Sequence, residues 1–111
     1  MAILKAPAGV ALTTAMKTIV QNPSGSGMVW LVGLSFVNVD GVNDASISNC
    51  NMLDANTSNA VNPILPVNTL CKKVDGVYRQ KVLEPGDLIQ ANASADGDIF
   101  VSVEVLVQEA V

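Results

Sequence analysis

The sequence predicts an all-β protein, a small antiparallel β-sandwich of jelly-roll or Greek-key type with roughly six to eight strands. Three observations carry this expectation. Apolar residues recur with a period of two, most regularly at Ile99, Val101, Val103, Val105 and Val107, which is the repeat of a strand burying one face. Asp-Gly turn signals punctuate the chain at Asp40-Gly41, Asp75-Gly76 and Asp96-Gly97. Half the residues are hydrophobic but only 4% are aromatic, so the core is made of Val, Ile, Leu, Ala and Met in thin layers. No segment carries a sustained helical period.

With 111 residues the chain is read as one domain, 1–111, whose first stretch, 1–12, is an extended arm broken by Pro7 and Gly9 that packs on the body or on a neighbouring subunit. Thr13 to Val20 is expected as a strand, and Asn22-Pro23-Ser24-Gly25-Ser26-Gly27 as a loop. Met28 to Val39 is the longest apolar run and holds the single tryptophan. Its length is well short of the about 20 residues of a membrane helix, and no membrane partner is expected. Met28, Trp30, Val32, Leu34 and Phe36 form a bulky face, while Val29, Leu31, Gly33, Ser35 and Val37 form a second, smaller face that is also largely apolar. Both need cover, so this is the expected central strand.

Ala45 to Leu53 reads as a weaker strand with Ile47, Cys50 and Met52 as its apolar members. Asp54 to Asn68, rich in Asn and Pro, is expected to cross from one sheet to the other. Leu70 to Val82 contains Val74-Asp75-Gly76-Val77, a two-residue hairpin signal that sets Lys72 opposite Arg79. Leu83-Glu84-Pro85-Gly86-Asp87 is a type II turn with Pro and Gly at its centre. Leu88 to Ala95 and Ile99 to Val107 are expected to pair as a hairpin, with Ala95, Ala93, Ala91 and Ile89 opposite Ile99, Val101, Val103 and Val105. The valine face is then free to meet an opposing sheet carrying Trp30 and Phe36. The Val29, Leu31, Val37 face is left without an obvious partner and is expected to meet another subunit or the folded-back arm.

Charged residues are 14% of the chain, against roughly 25% in an average soluble domain, which suits a surface covered by another copy. A net charge of −4 speaks against nucleic acid as the partner. The first residues lack the apolar core of a signal peptide, so synthesis in a cytosol is expected. Cys50 and Cys71 are then either two free thiols or one disulfide, with free thiols preferred.

The chain has no histidine, which removes the commonest general base and metal ligand. Two cysteines alone supply neither a zinc site nor a Cys-His nucleophile. Asp96 and Asp98 flank Gly97 and read either as turn residues or as ligands of a Ca²⁺ loop. No catalytic residue, metal or cofactor is assigned. Lys72, Lys73, Arg79 and Lys81 are four of the six basic residues. They read either as a contact for an acidic neighbour or as charges that keep an edge strand from aggregating.

Leu83-Glu84-Pro85-Gly86-Asp87-Leu88-Ile89, the Ala/Ser run at Ala91 to Ala95 and the closing Val101-Ser102-Val103-Glu104-Val105 strand resemble small virion structural proteins of tailed bacteriophages, in which an LxPGDxI turn leads to a strand, a Gly turn and a valine-rich strand containing Glu. Leu65-Pro66-Val67-Asn68-Thr69-Leu70 is similar to their LPVPxxxTL segment, with Asn68 in place of the second proline. The resemblance covers Leu65 to Val107. It implies a non-enzymatic place in the virion, after synthesis in the host cytoplasm. The expected role is a capsid decoration, or cement, protein acting as a homo-oligomer, trimer preferred, on the major capsid protein or other virion proteins. The alternatives are a neck or tail component, or the receptor- or sugar-binding head of a tail fibre.

Overall fold

A computed structural model describes residues 2–7, 9–73 and 75–109, so Met1 and Ala8 of the arm and Val74 of the expected hairpin lie outside the described residues. The alternating segments form ten strands: β1 (Ala2–Lys5), β2 (Val10–Ala11), β3 (Lys17–Gln21), β4 (Met28–Asn38), β5 (Ala45–Asp54), β6 (Ala60–Leu65), β7 (Thr69–Cys71), β8 (Gly76–Leu83), β9 (Leu88–Ala93) and β10 (Ile99–Glu109). A short 3-10 turn, Ala55–Thr57, follows β5. The front sheet has the order β1-β10-β4-β8, with β2 also on β10. The back sheet has the order β3-β9-β5-β6, with β7 also on β5. All pairs are antiparallel. The pairing is nested: β1 and β2 meet β10, β3 meets β9, β4 meets β8, and β5 meets β6 and β7. This is a long hairpin rolled into two layers, the jelly-roll order.

The apolar run from Met28 forms the central strand β4, between β10 and β8, because it is the segment with two apolar faces. Val32, Leu34 and Phe36 are fully buried, and Met28 and Trp30 pack against the same core from its end. Next to them in the front sheet stand Val105, Val103, Val101 and Val107, opposite Val32, Leu34, Phe36 and Trp30 respectively. The back sheet covers this layer with Ala45, Ile47, Cys50 and Met52 of β5 and Ile89, Ala91 and Ala93 of β9. In β5 the inward residues change phase between Ile47 and Cys50. The register shifts between Ile47 and Asn49, so a bulge restores both side chains to the core.

Several expected pairings are corrected. β9 and β10 do not form a hairpin: β9 pairs with β3 and β5, and β10 with β4 and the arm. The alanines therefore lie across the sandwich from the valines, and Trp30 and Phe36 lie beside the valines in the same sheet. The loop between β9 and β10 crosses the sandwich, held by Gly97 N–H donating to the Leu12 carbonyl, Thr14 N–H donating to Asp96 Oδ1 and Val39 N–H donating to the Asp98 carbonyl. Likewise β7 and β8 lie in different sheets, so Lys72 does not face Arg79. The crossing expected at Asp54 to Asn68 is made instead at Lys72 to Asp75, and β6 folds back on β5 within the back sheet. The physical reason is that turn signals, Asp-Gly in the first two cases and Asn and Pro in the third, specify a reversal or a connection, while the choice of sheet depends on distant strands. The strand expected from Thr13 starts only at Lys17. The Pro85-Gly86 turn is as expected, with φ +92° at Gly86 and Asp87 N–H donating to the Glu84 carbonyl at 3.0 Å.

The arm runs along β10 as an edge strand, with Lys5 opposite Val105 and Val10 opposite Val101. It does not fold over the outer face of β4. Phe100 fixes it by lying across Gly9, where an added Cβ would stand 2.4 Å from the ring and 3.0 Å from the Val101 carbonyl. Gly9→Ala should therefore loosen the arm. Amide exchange in β1 and β2 is expected to accelerate by about tenfold, with the amides of β4 and β9 unchanged.

Each end of β4 is closed by a buried asparagine. Asn22, fully buried, donates from Nδ2 to the carbonyls of Met28 (2.9 Å) and Leu83 (3.0 Å) and accepts from Ser26 Oγ at 2.7 Å. Asn38 donates from Nδ2 to the carbonyls of Asn43 and Cys71 and accepts from Asp40 N–H. Each bonds two carbonyls at a sheet-to-sheet crossing.

Candidate assembly surface

Pairing in the front sheet sets four apolar side chains in one straight row on its outer face. Leu4 of β1 stands opposite Leu106 of β10, Leu106 opposite Leu31 of β4, and Leu31 opposite Val82 of β8. Leu4 is 82% exposed, Val82 52% and Leu31 39%. Such a row on an open face is an apolar patch without cover among the described residues. A second row joins Ala11, Phe100 and Val37, opposite Gly76 at the β8 edge. Val37 is 40% exposed. Between the rows, Tyr78 of β8 lies over Gly33, where an added Cβ would stand 2.6 Å from Oη, and Gln80 Nε2 donates to that hydroxyl. A hollow of about 100 Å³ remains there, ringed by Leu4, Leu31, Tyr78, Gln80, Glu104 and Leu106.

The outer face of the back sheet is polar at its middle, although Leu53 stands opposite both Val61 and Leu88 near one end. Asn49 stands opposite Asn92 and Asn51 opposite Gln90, and Asn49 Nδ2 donates to Asn92 Oδ1 at 3.1 Å.

The residues singled out from sequence fall into two groups. Val29, Leu31 and Val37 lie together on the outer face of the front sheet, Leu31 within the apolar row. Lys72 and Lys73 are exposed in the turn that enters β8, where Lys73 N–H donates to Asp44 Oδ1. Arg79 and Lys81 lie on β8 opposite the core residues Leu34 and Val32, hence on its inner side at the edge of the sheet. Arg79 Nη1 donates to the Tyr78 carbonyl of its own strand at 2.8 Å. Leu4, Leu106, Val82 and Tyr78 are additional members of the surface. Leu106 has a sequence signal, being the large aliphatic residue in the otherwise mostly polar phase Ser102, Glu104, Gln108. The others join the row only through strand pairing.

Trp30 is not free as an aromatic platform: it packs on the core end, with Lys5 Nζ 5.8 Å from its ring centroid. Both cysteines are free and buried. Burial pushes the Cys50 thiol up to about 12. Burial also raises that of Cys71, with the Asp75 charge adding to it and the Asn38 backbone opposing. Neither is a nucleophile at neutral pH. Asp96 is a turn residue accepting from Thr14 N–H, and no group of three or more potential metal-ligating side chains occurs among the described residues. No helix among them is long and apolar enough to cross a membrane. Compared with protein-family models and with curated protein sequences, the chain matches none.

Proposed function

We propose that this protein is a non-enzymatic structural protein of a tailed-phage virion, a capsid decoration protein that acts as a homo-oligomer, with a trimer preferred. The observation that carries the reading is the apolar row Leu4, Leu106, Leu31 and Val82 on the open face of the front sheet. A side chain such as Leu4 gains about 25 cal/mol per Å² of apolar area when a neighbour covers it, and the low charge content leaves little to oppose that. The resemblance to virion proteins supports the setting, and its PGD turn forms the crossing from β8 to β9. Weak contacts repeated over a shell would hold adjacent subunits by avidity.

Light scattering coupled to size-exclusion chromatography tests the association. The wild type is expected to elute as an oligomer at micromolar concentration, and Leu31→Glu combined with Leu106→Glu as a monomer with an unchanged circular dichroism spectrum. A monomeric wild type would remove the homo-oligomer. Labelling intact particles tests the setting: copies over the whole shell are expected, and particles without the protein would remove the virion role.

A further inference from the structure

Among the described residues, strand β8 is an uncovered edge of the front sheet, and it concentrates positive charge in an acidic protein. Arg79 and Lys81 lie along its inner side, and Lys72 and Lys73 lie in the turn that leads into it. The other edges are less suited to receive a strand. The arm edge is interrupted around Pro7, β6 carries Pro63, and β3 pairs with β9 through an irregular register. At the Leu83 end, β8 borders a cavity of about 450 Å³ whose lining includes Leu31, Met52, Lys81 and Val82 and the acidic Asp54, Glu84 and Asp87.

A second copy of this chain is a poor occupant of that edge. The two registers that pair nearly the whole of β8 with a symmetry mate set Arg79 against Arg79 or Arg79 against Lys81, and like charges directly opposite are destabilising. The arm of a second copy brings Lys5 on the inner side, again a cation. Carboxylates at those positions would instead meet two cations held on a fixed pleat.

We infer that β8 is a strand-addition site for an extended acidic segment of another protein. The segment pairs antiparallel to β8, as every strand pair of this fold does. An aliphatic residue opposite Val82 becomes a fifth rung of the row Leu4, Leu106, Leu31, Val82 and covers the mouth of the cavity. The next residue, opposite Lys81, is acidic. The one after it, opposite Gln80, faces outward, and the following one, opposite Arg79, is again acidic. The recognised pattern is therefore aliphatic, acidic, any, acidic. The carboxylates of Asp54, Glu84 and Asp87 at the cavity bar a further acidic residue from the aliphatic end, which sets the direction of the segment. Arg79 exchanges its bond to the Tyr78 carbonyl for the incoming carboxylate. The site adjoins the outer face at Val82, while its two cations lie on the opposite side of the sheet, and it stands or falls independently of the virion reading.

The test is titration of the full chain with an acetylated, amidated peptide Thr-Thr-Val-Glu-Thr-Glu-Thr-Thr, followed by amide NMR and fluorescence anisotropy. Expected are shifts centred on Gly76 to Leu83, and affinity at least about tenfold higher than for the peptide with Lys at both Glu positions. Arg79→Glu with Lys81→Glu should reverse that preference. Methylating alternate backbone nitrogens of the peptide leaves its charge intact and should abolish binding, since the added strand can no longer donate. Three results would overturn the site: no binding at millimolar peptide, equal binding of the methylated peptide, or shifts away from β8. A preference for the same residues in reversed order would overturn the antiparallel direction. Light scattering on the same samples reports the oligomer separately.

Discussion

Alanine in place of Asn22 is expected to lower the free energy of unfolding by about 4 kcal/mol, a large share of the roughly 5–15 kcal/mol of a domain this size. The side chain is fully buried and gives both N–H groups to carbonyls, those of Met28 at the start of β4 and Leu83 at the end of β8. Alanine leaves the Met28 carbonyl without a donor, at about 1–3 kcal/mol, takes from the Leu83 carbonyl the bond it receives besides its rung with Trp30, at about 1 kcal/mol, and leaves a space as well. The backbone bonds of this residue, from its N–H to the Asp87 carbonyl and from Gly86 N–H to its own carbonyl, survive the change. The loss therefore belongs to the amide. Urea unfolding followed by tryptophan fluorescence measures it.

Asn22→Asp separates hydrogen bonding from packing. It keeps the shape but turns carboxylate oxygen toward two carbonyls. Its folded-state pKa is raised above the usual value of about 3.9, because burial and those carbonyls disfavour the charge. The variant is then most stable below pH 4, when the group is neutral, and loses stability as the pH rises. At pH 7 it should be less stable than Asn22→Ala, and at pH 3 the order should narrow or reverse. Equal pH profiles for the two variants would show that space, and not the donors, is what Asn22 supplies.

Alkali should unfold this protein through Cys50. Its thiol is pushed up to about 12 by burial in the core, against an ordinary value of 9.0. In the unfolded chain the thiol ionises from about pH 9, while in the folded protein it stays neutral. Stability is thus intact below pH 9 and declines as the pH rises toward 12, since only the unfolded state gains by losing the proton. The three-unit difference amounts to roughly 4 kcal/mol at the top of that window. Cys71, whose thiol burial also raises, contributes there too, so the measurement is a difference. Cys50→Ala, although less stable at pH 7 by a cavity cost of about 1–2 kcal/mol, should show a flatter decline than the wild type between pH 9 and 12. Parallel curves would refute the linkage.

Much of the architecture was legible in the sequence because strand propensity, period-two burial and turn chemistry are local. The two faces of Met28 to Val39, the inward set Ile99, Val101, Val103, Val105 and Val107, and the Pro85-Gly86 turn each follow from a dozen residues or fewer. All of them form as expected. The irregular spacing of Ile47, Cys50 and Met52 was visible too, although the bulge that explains it requires a partner strand to define it.

What the local signals lacked was the identity of the neighbour. Every expected hairpin between adjacent strands after Leu70 proved to be a crossing, since β7, β8, β9 and β10 alternate between the two sheets. Pairing β4 with β10 and β8 instead is a contest among distant segments, decided by which arrangement buries the most apolar area at once. The same holds for the surface on which the functional reading rests. The sequence by itself determined that β4 has a second apolar face and that four of the six basic residues cluster near Asp75-Gly76. Only the tertiary structure decided that Leu4, Leu106 and Val82 extend that face into one row and that Arg79 and Lys81 line a free edge. Registry across strands separated by most of the chain is set by the packing of the whole core, and no local pattern encodes it.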